Sequence, residues 1–174
     1  MAIQAGTYKF GPDNATLHVE TTRSGAAAKA GHDLVIDVNS WEATLEVGDS
    51  SRLALTADPT SLRVREGKGG MQALKDDDKQ DIHKTIDKDV LKKKDIRFES
   101  SSVEAAGDGL KVSGELEVAG KSNPVSFDLS ESGGTITGSA TLDQTDWGIK
   151  PYSALFGALK VNDEVKIVVE GKLS

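Results

Sequence analysis

The sequence predicts an all-β protein of antiparallel strands, stacked as a sandwich or closed into a barrel, in a single domain over residues 1–174 with one amphipathic helix inserted. Three observations carry that expectation. Apolar and polar residues alternate with period two along most of the chain. Turn-forming clusters separate the alternating runs at short intervals, and one segment alone switches to the helical period. Period-two alternation marks strands with one wet face and one apolar face, as antiparallel sheets have.

From the N-terminus, Leu17 and Val19 alternate with Thr16, His18 and Glu20. Leu34, Ile36 and Val38 alternate with Asp37 and Asn39, and Val35 breaks the pattern. Ala43, Leu45 and Val47 follow, then the pairs Leu53/Leu55, Leu62/Val64 and Ile96/Phe98. The second half is more regular. "LKVSGELEV" puts Leu110, Val112, Leu116 and Val118 on one face, and "PVSFDLS" does the same with Val125, Phe127 and Leu129. "TITGSATL" offers Ile136, Gly138, Ala140 and Leu142, and "EVKIVVEGKL" offers Val165, Ile167 and Val169. Between the runs lie "GDSS", "AAGDG", "AGKSNP" and "ESGG", whose spacing suits hairpins rather than parallel crossovers.

The exception is "KDDDKQDIHKTIDKDVLKKK", residues 75–94. Ile82, Ile86 and Val90 recur every four residues there, and Leu91 widens the stripe, which predicts a helix over about 78–93. Asp76, Asp77 and Asp78 precede it where carboxylates cap free N–H groups, and Lys92, Lys93 and Lys94 close it beside free carbonyls. Upstream, "EGKGGMQAL" reads as a glycine-rich connector with a short turn around Met71 and Leu74.

Composition excludes several function classes. With 21 basic and 28 acidic residues the net charge is −7, which disfavours phosphate backbones and anionic headgroups as main partners. No cysteine is present, so disulfides, thiolate catalysis and cysteine-based zinc sites are excluded. No run of about 18 apolar residues exists to span a bilayer. The opening "MAIQAGTYKF" has no basic region followed by an apolar stretch, so the expected compartment is cytoplasmic, or periplasmic or secreted where a leader has been removed.

The charged motifs lose to plainer readings. An EF-hand laid on Asp76-x-Asp78-x-Gln80 would put Asp81 where glycine is required and Asp87 where glutamate belongs. "GKGG" at 67–70 lacks the spacing and terminal Gly-Lys-Ser/Thr of a phosphate loop. His18 falls on a polar strand face, His32 opens "GHDL", and His83 is expected to face water beside Lys84; no two have a metal-binding spacing. His32 and Asp33 are adjacent, so on a strand they point to opposite faces and make a poor general-base pair. No serine lies in a nucleophile elbow, and no catalytic residue, metal site or cofactor is expected. Trp41, between two strands, and Trp147, in "TDWGIKP", are either core residues or the lining of an apolar cavity.

A cavity is expected because the inward-facing set is short of bulk. Ser100, Ser102, Gly114, Gly138 and Ala140 fall in register with Phe98, Leu116 and Leu142, and the chain has few aromatic residues. Small barrels are either filled by side chains or hold one small ligand.

The order of segments resembles the YceI-like family of bacterial lipid-binding proteins. The resemblance lies in "YKFGPDNATLHVET", "GHDLVIDVNSWEATLEV", "LTADPTSLRV", "DIHKTIDKDVLKKKDIRFES", "LKVSGELEVAGKSNPVSFDL" and "TDWGIKP". The sequence departs from the family's pattern at Asp95, where proline is common before "IRF", and at Asp13-Asn14-Ala15-Thr16. The resemblance implies an antiparallel lipocalin-like β-barrel with the helix packed on or over it. It implies a polyisoprenoid, isoprenoid quinone or fatty-acid-like chain held inside, often by a homodimer, in proteins linked to transport or stress response. The expected lining is Leu17, Val19, Leu34, Ile36, Trp41, Leu55, Phe98, Leu116, Phe127 and Trp147, with Met71, Ile82 and Ile86 closing the cavity. Two alternatives stand beside this carrier: an enzyme on a small hydrophobic substrate with His32 in the lumen, and an interaction domain with a filled core.

Overall fold

The computed structural model describes residues 3–154, 157 and 159–173. The alternating runs of the N-terminal half become β1 (Gly6–Phe10), β2 (Ala15–Thr21), β3 (Arg23–Ser24), β4 (Asp33–Val38), β5 (Trp41–Val47), β6 (Arg52–Ala57) and β7 (Leu62–Lys68). Helix α1 (Asp76–Thr85) follows. Then come β8 (Ile96–Ala106), β9 (Gly109–Val118), β10 (Lys121–Ser132), β11 (Thr135–Asp143), β12 (Ser153–Ala154), β13 (Leu159–Val161) and β14 (Glu164–Lys172). The sheet is antiparallel and curls into a barrel, as expected. The long hairpins turn on two residues each. Ala119–Gly120 and Gly133–Gly134 both have positive φ at both positions, the backbone of a tight hairpin turn whose twist matches the strands.

Eleven strands form one sheet in the order β1-β5-β6-β8-β9-β10-β11-β14-β2-β4-β7. Its two ends are joined by covalent chain, not by a ladder. β4 and β7 are paired, and so are β5 and β6, and both strands of this one hairpin turn the same corner between Val38 and Trp41. At the corner Asn39 N–H donates to the Ser61 carbonyl (3.1 Å) and Asp58 N–H to the Ser40 carbonyl (2.9 Å). Asp58 also caps a short 3₁₀ turn, Pro59–Ser61, through its carboxylate and the Thr60 N–H (2.8 Å). One arm of the bent hairpin thus joins β8 and the other joins β2, which closes the wall.

Irregularities in the alternation become bulges. The register shifts between Val35 and Ile36, which explains why Val35 is buried outside the main apolar cluster while Ile36 belongs to it. A second bulge, between Ser100 and Ser102, takes Ser102 off the expected inward register, whereas Ser100 keeps it. Ser100 Oγ accepts the Leu53 N–H (2.8 Å) in place of a ladder carbonyl.

The helix differs from its expected bounds. It starts at Asp76, so the three aspartates form its first turn; the Asp78 carboxylate accepts the Lys75 N–H (3.1 Å). After Thr85 the chain widens into a π turn, Ile86–Val90, in which Leu91 N–H reaches the Ile86 carbonyl (2.8 Å). The wider turn brings Leu91 round to the side of Ile86, and both are buried. Lys92 and Lys93 then leave the helix with positive φ.

Helix α1 packs along the free edge of β7. This corrects the expectation that His83 faces water. Its Nδ1 lies 2.9 Å from the Leu62 carbonyl and 3.0 Å from Arg63 Nη1, and Lys79 Nζ reaches the Arg65 carbonyl (3.3 Å). Side chains therefore satisfy edge carbonyls that no neighbouring strand can reach.

Candidate functional site

The barrel encloses a cavity of about 530 Å³, within the range of small-molecule pockets. Its floor is built by Phe10, Leu45, Leu129 and Ile136, with Leu110 and Val112 packed among them in one core cluster. Leu45 and Val112 have no exposed surface. Alternate residues of each strand form the wall: Leu17 and Val19 of β2, Leu34 and Ile36 of β4, Leu55 of β6, Phe98 of β8, Leu116 of β9 and Phe127 of β10. The rings of Phe98 and Phe127 meet at 5.5 Å, tilted by 57°. Val165, Ile167 and Val169 complete the circuit on β14.

Both tryptophans line this cavity and are buried. Trp147 Nε1 donates to the Leu116 carbonyl (2.8 Å), whereas Trp41 Nε1 is enclosed without an acceptor. Ile82 and Ile86 line the cavity from the helix side, joined by Val90 and Leu91. Met71 does not. It is 78% exposed, because the connector swings out past Gly69 and Gly70 and only Leu74 returns to the cavity.

Of the small residues expected inside, Gly138 and Ala140 lie against the cavity. Ser100, Ser102 and Gly114 do not: the bulge turns Ser102 off the inner face, while Ser100 and Gly114 pair with each other in register with Phe98 and Leu116. Gly114 is instead where β9 presses on β8, and a side chain there would collide with the Glu99 carbonyl.

Apart from Ser139, the polar lining groups gather at one end, where β2 and β4 approach β11, β14 and α1. They are Thr21, Arg23, His32, Asp81, Thr85, Gln144, Tyr152 and Lys160. A second small sheet, β12-β13-β3, forms this mouth, pairing Lys160 with Ser24 and Ser153. Sequence reading missed this flap, since strands of two and three residues leave no alternation to detect. Arg23 holds it in place. Its Nε donates to the Ala28 carbonyl (2.7 Å), its Nη1 to the Lys68 carbonyl (2.8 Å), and Asp33 lies 3.4 Å from Nη1.

His32 sits at the rim with Nε2 2.6 Å from the Gln72 carbonyl. Groups whose titration is displaced lie elsewhere. A hydrogen bond from His18 holds Glu20 below the usual carboxylate range, the Thr60 hydroxyl and N–H do so for Asp58, and Asp37 raises Arg65. None of these lines the cavity. Among the described residues no three His, Asp or Glu side chains gather as a metal site, and no helix is long and apolar enough to cross a membrane.

A family model described as a YceI-like domain matches residues 8–173. The fold is similar to that of BcnA from Burkholderia cenocepacia, with a TM-score of 0.64 and 16% identity over 90% of this chain and 94% of that one. It is also similar to a YCEI protein of Campylobacter jejuni, with a TM-score of 0.53 and 15% identity over 78% of this chain and 81% of that one. A mutant of a CJ YCEI protein crystallised with a monobromobimane guest gives a TM-score of 0.52 at 15% identity, with 78% and 81% of the two chains covered. No curated protein sequence matches the chain.

Proposed function

From the premise that this chain belongs to the YceI-like family, we propose that it is a non-catalytic carrier that encloses a long apolar chain, of polyisoprenoid, isoprenoid quinone or fatty-acid type. The observation that carries the reading is the cavity itself: about 530 Å³, walled by aliphatic and aromatic side chains, with polar groups confined to one end. An apolar guest gains about 0.8 kcal/mol for each methylene taken out of water, and among the described residues the lining leaves only Trp41 Nε1 and Thr21 Oγ1 buried without a partner. Specificity along the chain is then a matter of length and shape. Supporting the non-catalytic reading, His32 at the rim is engaged through Nε2 with the Gln72 carbonyl (2.6 Å), and among the described residues it shares no hydrogen bond with Asp81, Tyr152 or Lys160, the other acid–base groups of the lining.

Native mass spectrometry of the purified protein, followed by organic extraction, tests the proposal. A bound lipid of defined mass is the expected result. A protein that emerges empty and takes up neither quinones nor fatty acids is not a carrier of this kind.

A further inference from the structure

We propose that the mouth of the cavity is a headgroup subsite, and that it selects single-chain amphiphiles with an anionic head, a carboxylate or a phosphate. The inference rests on the carrier reading and adds a chemical class to it. Three features of the mouth support it.

The first is segregation. A chain lying along the wall meets aliphatic and aromatic carbon until it reaches the end where Arg23, Lys160 and Gln144 stand together. The Gln144 amide already donates to the Asn162 carbonyl (3.1 Å), but a ligand with no head would leave Lys160 without an anionic partner, whereas an amphiphile gives each end what it needs.

The second is charge. Lys160, on β13, has no acidic side chain within ion-pair distance among the described residues, although its strand runs directly over the opening. Arg23 is different. Asp33 and two carbonyls occupy Nε and Nη1, which leaves the Nη2 donors beside Gly69 at the same rim. One unpaired ammonium and one partly used guanidinium therefore share the mouth. The opposing carboxylate, Asp81, lies across the opening on α1, with Lys84 Nζ 3.9 Å away. The excess is positive at the flap and offset at the helix, so an anionic head belongs on the flap side.

The third is rigidity. The flap is fixed by Arg23 to two backbone carbonyls and the Asp33 carboxylate at once, and Asn162 adds a bond from Nδ2 to Thr22 Oγ1 (2.7 Å). Donors held in place lose little freedom when they close on a carboxylate or phosphate, and such charge-assisted bonds are the strong ones.

Intrinsic tryptophan fluorescence provides the readout, because Trp41 and Trp147 both border the cavity. Delipidated protein is titrated at pH 8 with hexadecanoic acid, hexadecyl phosphate and 1-hexadecanol, all as monomers. The acid or the phosphate is expected to bind roughly fivefold or more tighter than the alcohol, and which of the two leads identifies the head. Lys160→Gln is expected to bring that ratio towards one, while Lys111→Gln, at the closed end, keeps it. Equal affinity for all three compounds overturns the headgroup inference and leaves the carrier reading standing. Binding of none of them overturns the headgroup inference, and failure to take up an isoprenoid quinone as well removes the carrier reading too.

Discussion

Trp41 and Trp147 border the same cavity, but only the second has a partner for its indole nitrogen. Replacing either by phenylalanine removes a similar volume, so the difference between the two variants isolates the hydrogen bond. Trp147→Phe is expected to cost about 1–2 kcal/mol more than Trp41→Phe, which loses no bond at all. Urea unfolding of both variants measures it, and equal midpoints would show that the bond to Leu116 contributes nothing. Alternation identified much of the wall correctly at this scale, because a period of two assigns a face to every residue of an uninterrupted strand. It failed at Ser102, where one inserted residue shifts everything after it on β8. Met71 misled for another reason. Its hydrophobicity suggested burial, but two glycines of positive φ carry the connector away from the wall.

At the scale of elements, the corner of the bent hairpin depends on Asp58, whose carboxylate holds the Thr60 N–H and hydroxyl at 2.8 and 2.7 Å. Those bonds favour the ionised form and place its pKa below the ordinary 3.8. The unfolded chain therefore binds the proton more readily. The stabilisation is present above the ordinary value and is lost as pH falls through it towards the lowered one. Asp58→Asn keeps an oxygen for the Thr60 N–H but does not titrate. On going from pH 5 to pH 3, the stability of the wild type should fall relative to this variant. Urea midpoints at the two pH values decide, and parallel acid limbs would count against the assignment. The helix was legible from Ile82, Ile86 and Val90, because a strand would put Lys84 and Lys88 on the same face as these apolar residues, whereas a helix separates them. Its π turn was not, since nothing in "TIDKDVL" distinguishes an i+4 from an i+5 carbonyl. The partnership of His83 with β7 was hidden too, because a free sheet edge exists only once the sheet has curled.

Considered whole, the molecule is a ladder of strands whose ends are joined by one bent hairpin and whose mouth half is finished by a helix. Around most of the circumference, parting the wall would break several inter-strand hydrogen bonds together. Along β7 it would break only the His83 and Lys79 contacts and the apolar seat of Ile82, Ile86 and Leu91. The amides of α1 are accordingly expected to exchange with deuterium faster than those of β9 and β10, read by hydrogen exchange with mass analysis. Uniform protection across these elements would contradict it. In a carrier, the free edge of β7 under α1 would serve as a second way in beside the mouth. The frequency with which α1 undocks would then set how long a guest stays, through residues that never touch it.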